Sequence, residues 1–133
     1  MAELSPYLHF AGTAREALDF YHGVFGGELR MFTNGDMGRT DGDAAAIGHG
    51  ILSGPVSLFA ADVDGTQPPF AASGLMFALL GTAQSEVLRG WFAGLSAGGR
   101  VVEALEQRPW GDTDGQVLDK YGVLWLIGFE PGT

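Results

Sequence analysis

The pattern of apolar and polar positions occurs twice along this chain. A short apolar strand, an amphipathic helix that begins at a threonine and a pair of glycines run from Tyr7 to Gly27, and the same order returns from Leu75 to Gly99. An apolar segment follows each glycine pair. Such self-similarity marks a duplicated unit, and a unit of about sixty residues buries its sheet face poorly alone. The sequence therefore predicts two similar halves that form one body with a shared cleft.

The first helix is the best specified element. Thr13 and Glu16 have the spacing of a capping box, in which each side chain bonds the backbone N–H of the other residue. Apolar residues recur at helical spacing from Ala14 to Phe25, and Gly26 is suited to the left-handed conformation that ends a helix. The second helix is predicted to follow Thr82 and to run to about residue 97.

Turn residues divide the rest of the chain. Residues 33–48 are rich in Asn, Asp and Gly, which predicts a mobile loop. Residues 62–74 contain two prolines and form the linker between a first module, about 1–64, and a second module, about 75–133. Each module reads as one strand, one helix and three strands. This order predicts an α+β domain of mixed β-sheet with helices outside, and a ferredoxin-like sandwich has too few strands to match it.

The composition is that of a globular protein. The 133 residues are 46% hydrophobic, and none of their apolar runs reaches the roughly eighteen residues that a membrane-spanning helix needs. The start of the chain lacks the basic end and apolar stretch of a signal peptide. Without cysteine the chain has no disulfide, thiolate nucleophile or Cys-ligated metal. We therefore expect a soluble, cytoplasmic protein.

The net charge of the chain limits the kinds of molecule that it is expected to bind. Asp and Glu number 16 against 7 Lys and Arg, for a formal net charge of -9. An acidic protein without a basic stripe repels polyanions, so nucleic acid is not an expected partner, and neither is a membrane.

Three segments carry a resemblance to a known family. They run from Pro6 to Leu29, from His49 to Asp62 and from Trp110 to Trp125, and together they cover most of the chain. They resemble the vicinal oxygen chelate superfamily, the glyoxalase and bleomycin-resistance fold, and within it the PhnB-like branch. The resemblance implies two tandem βαβββ modules that form a cup-shaped sheet, usually assembled as a homodimer.

The resemblance also bears on metal binding. Metal-using members of the superfamily hold a divalent ion with His, Glu or Gln side chains that project into the cup. The resemblance places those positions at Leu126, at about Met76, near Pro6 and within residues 56–59, where no imidazole or carboxylate stands. His9 lies three residues beyond Pro6, and an odd shift along a strand turns a side chain to the other face. We therefore expect neither a metal nor another cofactor.

Four residues are the candidate ligand contacts. His49 lies on a predicted strand where PhnB-like proteins commonly have a histidine. Trp110, Asp112 and Gln116 lie on or beside a loop near the predicted mouth of the cup. Polar and aromatic groups on such loops are often ligand contacts.

The rest of the third segment has structural interpretations. Asp119 and Gly122 fit a hairpin turn, in which Asp bonds backbone amides and Gly takes a positive φ. Trp125 alternates with Leu126, so if Leu126 faces the cup, Trp125 packs behind the sheet.

These observations predict a metal-free protein that binds a small molecule in an apolar cup. The alternative is a lyase, dioxygenase or demethylase-type enzyme of the same superfamily that acts on a small oxygenated substrate. A protein that sequesters a toxic compound by binding alone is a third possibility. The feature that would favour an enzyme is a pair of titratable side chains that converge on one point.

Overall fold

The chain divides into two compact units, Met1–Phe70 and Ala71–Thr133. They were analysed in a computed structural model, which describes residues 3–40 and 42–132. Among those residues, neither helix is long and apolar enough to cross a bilayer.

The first unit is one helix on a four-stranded sheet. Its elements are β1 (Tyr7–Phe10), α1 (Ala14–Phe25), β2 (Glu28–Thr33), β3 (Ile47–Ser53) and β4 (Leu58–Asp62). The strand order is β1-β4-β3-β2, in which β1 runs parallel to β4 and the other pairs are antiparallel.

The second unit repeats this topology. Its elements are β5 (Phe77–Leu80), α2 (Ser85–Ser96), β6 (Arg100–Gln107), β7 (Thr113–Leu118) and β8 (Leu124–Phe129). The strand order β5-β8-β7-β6 matches that of the first unit, again with one parallel pair, β5 with β8. The predicted α+β class and the order of strand, helix and three strands in each copy are confirmed.

Each helix covers one face of its own sheet. In the first unit α1 contacts β2, β3 and β4, and a Cβ at Gly50 of β3 would collide with the Leu18 side chain of α1. Leu8 and Ala60 lie in register with Gly50 across the sheet, so they share this buried face. The residues that alternate with them point to the opposite face, which we call the helix-free face.

The paired glycines end each helix as predicted and then bring the chain close to the sheet. Gly26 and Gly98 have φ values of 73° and 74°, the left-handed conformation that suits glycine. Gly27 lies against the backbone of Ser53 at the end of β3, and Gly99 lies against the backbone of Leu118 at the end of β7. A Cβ at either second glycine would collide with backbone atoms, so both copies need a glycine there for steric reasons.

The start of α1 differs from the predicted capping box. Thr13 occupies the N-cap position, but within the described part of the chain its side chain makes no capping hydrogen bond. The backbone N–H of Ala14 instead donates to Asp62 Oδ1 over 2.9 Å. Because Asp62 lies 48 residues away, local spacing gave no sign of it. In the second unit, α2 begins at Ser85 after the N-cap residue Gln84 rather than after Thr82.

The turn between β7 and β8 agrees with its sequence interpretation. Asp119 is buried and accepts hydrogen bonds from the backbone N–H groups of Tyr121 and Val123, while Gly122 has a φ of 87°. The indole N–H of Trp125 donates to the other carboxylate oxygen of Asp119 over 2.9 Å. Trp125 is 2% exposed and packs edge-to-face on Phe77, so it lies on the buried face of its sheet.

Trp125→Ala is expected to lower the free energy of unfolding by about 3 to 5 kcal/mol, because it empties a core site and leaves Asp119 without its indole partner. Chemical denaturation followed by circular dichroism measures the loss. Trp110→Ala is the matched control: its ring is 69% exposed, so a change within about 0.5 kcal/mol is expected. Equal losses in the two variants would contradict this assignment of buried and exposed tryptophans.

Candidate functional site

The four predicted contact residues are divided between the two units. His49 lies in β3 of the first unit, on the helix-free face. Gln116 lies within β7 of the second unit, in register with Leu126 of β8. Asp112 immediately precedes β7, and Trp110 lies in the turn between β6 and β7. The three residues of the second unit therefore lie in a strand, just before that strand and in the preceding turn.

His49 belongs to a cluster of rings on the helix-free face of the first sheet. The Tyr7 hydroxyl lies 2.9 Å from His49 Nδ1, within hydrogen-bond distance. The ring centroids of Tyr7, His49 and Phe59 are 5.5 to 5.7 Å apart in all three pairs. The His9 ring meets the Tyr7 ring edge-on, with centroids 5.3 Å apart. We call these four residues the ring cluster.

Two members of the ring cluster, Tyr7 and Phe59, were missed in the sequence. The sequence count placed His9 on the face opposite Pro6 and did not connect His9 with His49, and the structure places both histidines on the helix-free face. The signal was present in the alternation of β1, because the apolar Leu8 and Phe10 are buried and the residues between them must face the other way. The pairing with Phe59 depends on strand register, which the sequence does not reveal.

A groove of about 710 Å³ opens beside the ring cluster. Tyr7 and His9 form one part of its wall, the loop between β2 and β3 forms another, and the segment that follows β4 forms a third. Polar side chains of the loop, of the end of β4 and of the segment that follows it line the groove, namely Asn34, Arg39, Asp43, Asp62, Asp64, Thr66 and Gln67. The groove lies entirely within the first unit.

The loop between β2 and β3, which its composition predicts to be mobile, contains several internal hydrogen bonds. The backbone N–H groups of Asn34 and Gly35 donate to Ala46 and Ala44 across the loop, and the Asn34 side-chain amide donates to the Asp43 carbonyl. Asn34 Oδ1 also accepts from Arg39 Nη1 over 3.2 Å. These bonds hold Arg39 at the wall of the groove.

Asp62 joins the elements that surround the groove. Its Oδ1 accepts from the N–H of Ala14 at the start of α1, and its Oδ2 accepts from the N–H of Ile47 at the start of β3, each over 2.9 Å. One carboxylate at the end of β4 therefore fixes the starts of two other elements.

Burial and Arg39 act in opposite directions on the pKa of Tyr7 in the ring cluster. Partial burial raises the pKa of the Tyr7 hydroxyl above its usual value, because the phenolate is poorly solvated there, and the nearby Arg39 guanidinium opposes this rise. The phenol therefore stays protonated at neutral pH and is able to donate or accept a hydrogen bond at His49.

A second groove, of about 510 Å³, lies in the second unit. Asp112, Asp114 and Leu126 are among the residues that line it. Asp114 is already paired with Arg108, whose Nε lies 2.8 Å from its carboxylate. Asp112 is therefore the predicted contact residue that lines this groove.

The residues present do not fit the metal site of the metal-using relatives. Leu126 lies mid-strand in β8 between Ala78 and Gln116, and its side chain offers no ligand atom. Met76 just precedes β5, and its thioether is a poor ligand for a hard divalent ion. Residues 3–40 and 42–132 contain no group of three His, Asp or Glu side chains placed to hold a metal.

Comparison with known proteins gives a consistent assignment. Residues 4–127 match the model of the Glyoxalase/Bleomycin resistance protein/Dioxygenase superfamily. The chain is 32% identical to protein YjdN of Escherichia coli, over 93% of this chain and 92% of that protein.

Solved structures show the same fold. Protein PA1353 from Pseudomonas aeruginosa is 30% identical, covers 98% of both chains and superposes with a TM-score of 0.83. A PhnB protein from Bacillus cereus shares the fold at 20% identity, with a TM-score of 0.71 over 96% of this chain and 99% of that chain.

The purified protein is expected to carry no stoichiometric zinc, nickel, iron or manganese, because Leu126 and Met76 stand where metal-using relatives place ligands. Elemental analysis after purification without chelators measures this. The expectation would be overturned if the wild type carried about one ion per chain and the His9→Ala or His49→Ala variant did not.

Proposed function

We propose that this chain, which belongs to the glyoxalase/bleomycin resistance protein/dioxygenase superfamily, binds a small organic molecule without using a metal ion. The observation that carries the proposal is the ring cluster, where the Tyr7 hydroxyl lies 2.9 Å from His49 Nδ1 beside a groove of about 710 Å³. The likeness to a PhnB protein supports the PhnB-like branch at the level of the fold.

The ring cluster has the composition of a ligand site. Small-molecule sites are concave and mostly apolar, with a few polar groups that fix the orientation of the ligand. Tyr7 and Phe59 provide apolar ring surface on the helix-free face, and Tyr7 is 45% exposed. The Tyr7 hydroxyl and the imidazole of His49 supply the polar groups. Aromatic rings are effective here because they offer large contact areas with few rotatable bonds.

The second unit supplies further proposed contacts. Gln116 lies in register with Leu126, so an amide and an apolar side chain stand side by side on adjacent strands. Asp112 lines the groove of that unit, and the exposed ring of Trp110 lies in the turn before it. These three residues keep their predicted role as contacts to a small molecule.

An enzyme remains the alternative, and one observation favours it. Tyr7 and His49 are two titratable side chains that converge on one point, the arrangement that distinguishes an enzyme from a binder. A phenol hydrogen-bonded to an imidazole is able to pass a proton to or from a bound oxygen atom. Of the lyase, dioxygenase and demethylase alternatives, such proton transfer fits a lyase best.

The binding proposal is tested by screening a fragment library by saturation-transfer NMR and measuring the affinity of each hit. Phe59→Ala is expected to weaken hits by about five- to two-hundredfold, because an aromatic ring contributes on the order of 1 to 3 kcal/mol to such contacts. Phe20→Ala removes a half-buried ring from α1 and should leave affinity unchanged. Trp110→Ala is expected to weaken hits that bind beside Trp110 in the second unit.

Two results would change the conclusion. Hits with equal affinity for the wild type, Phe59→Ala and Trp110→Ala would contradict the proposed site. A ligand recovered in chemically altered form, by mass spectrometry after incubation with wild type but not with Tyr7→Phe, would establish the enzyme alternative.

We also propose that the chain acts as a two-fold homodimer in the cytoplasm. Apolar side chains of the second unit are exposed, including Leu80 at 55% and Val101 at 45%, and Gly90 of α2 has no described atom within 4 Å of its Cβ position. Symmetric pairing is the usual way to cover such surface. Light scattering at micromolar concentration is expected to give twice the 14.0 kDa chain mass, and a monomer mass would contradict the proposal.

A further inference from the structure

We infer that the ligand of the first-unit groove is a small aromatic acid, with its carboxylate at Arg39 and the Tyr7 hydroxyl and its ring on the ring cluster. This inference rests on the proposed function and adds the charge and the shape of the ligand. It depends on three features: the ring cluster beside the groove, the position of Arg39 and the engagement of the carboxylates in the groove.

The rings favour a flat ligand. Tyr7, His49 and Phe59 form a triangle with centroid separations of 5.5 to 5.7 Å, and their planes differ by only 21° to 34°. Of these three, Tyr7 lines the groove and is 45% exposed, so its ring is open to a ligand. A planar aromatic body makes offset-stacked or edge-to-face contacts with an exposed ring, whereas a bulky saturated body touches it only at a few points.

Arg39 provides the positive charge beside these rings. Its backbone N–H donates to the Asn34 carbonyl over 2.9 Å, and its Nη1 donates to Asn34 Oδ1 over 3.2 Å. A guanidinium has five N–H donors in a planar fork, so this bond leaves others for a carboxylate. Arg39 also acts on the Tyr7 hydroxyl, since its charge opposes the rise in the pKa of that group. Tyr7 and Arg39 both line the groove.

The carboxylates of the groove are engaged with the chain itself. Both oxygens of Asp62 accept backbone N–H groups. Asp64 Oδ1 accepts from the backbone N–H and the hydroxyl of Thr66, and Asp43 Oδ1 accepts from the N–H of Ala45. These bonds occupy acceptor sites of the three carboxylates. Three carboxylates nevertheless outnumber one arginine, so a cationic ligand is the competing outcome that the experiment must separate.

Three probes that share one naphthalene ring isolate the effect of charge: 2-naphthoate, 2-naphthylmethanol and 2-naphthylmethylammonium. Their dissociation constants are measured by isothermal calorimetry at about pH 7.5, where the acid is ionised and the amine protonated. We expect 2-naphthoate to bind about five- to tenfold more tightly than the alcohol, the effect of one partly exposed charge-assisted hydrogen bond. The ammonium compound should bind most weakly.

Matched variants assign the preference to Arg39. Arg39→Gln removes the charge but keeps a side-chain amide, and it should reduce the difference between acid and alcohol to less than about twofold. Arg39→Lys retains the charge and should keep most of the preference. Arg100→Gln, at an exposed position of β6 in the second unit, removes the same charge without touching the groove and should change nothing.

The outcomes separate the inference from the proposed function. Equal binding of all three probes, or a preference that survives in Arg39→Gln, overturns the inference and leaves small-molecule binding in place. Tightest binding of the ammonium compound shows instead that the carboxylates select a cation. Failure of all three probes to bind at millimolar concentration overturns the inference and counts against the proposed site itself.

Discussion

The carboxylate of Asp62 is the contact on which the first unit and its groove depend. One oxygen binds the start of α1 and the other binds the start of β3, so the end of β4 holds two elements that are distant in sequence. A charged acceptor at a helix start also opposes the positive end of the helix dipole. If this carboxylate were absent, the strand that carries His49 and the helix that covers the sheet would lose a common anchor, and the groove would lose its shape.

Much of the fold was predictable because it depends on local signals. The period of apolar residues located α1 at Ala14–Phe25, the bounds that the structure has. The glycine pairs marked where both helices end, and Asp119 with Gly122 marked the β7–β8 turn. Each signal involves residues within a few positions of one another, so steric and hydrogen-bonding rules for short segments were sufficient to interpret them.

The candidate site was harder to predict because it depends on register. Tyr7 and His49 are 42 residues apart, and they meet only because β1 pairs with β4 and β4 with β3 at particular offsets. A single step in the count reverses the face of a strand residue, so a count along β1 alone could not connect His9 with His49. Composition also did not reveal the internal bonds of the loop between β2 and β3, where Asn and Asp side chains bond the backbone of their own loop.

The second glycine of each pair meets the same steric constraint in both copies. Gly27 and Gly99 occupy equivalent places, each against the backbone at the end of a neighbouring strand, although the sequences around them differ. Two segments of different sequence thus share one steric requirement, a position without a Cβ. The feature that the two copies share at this point is the absence of a side-chain atom. A comparison of side-chain chemistry between the copies would overlook it.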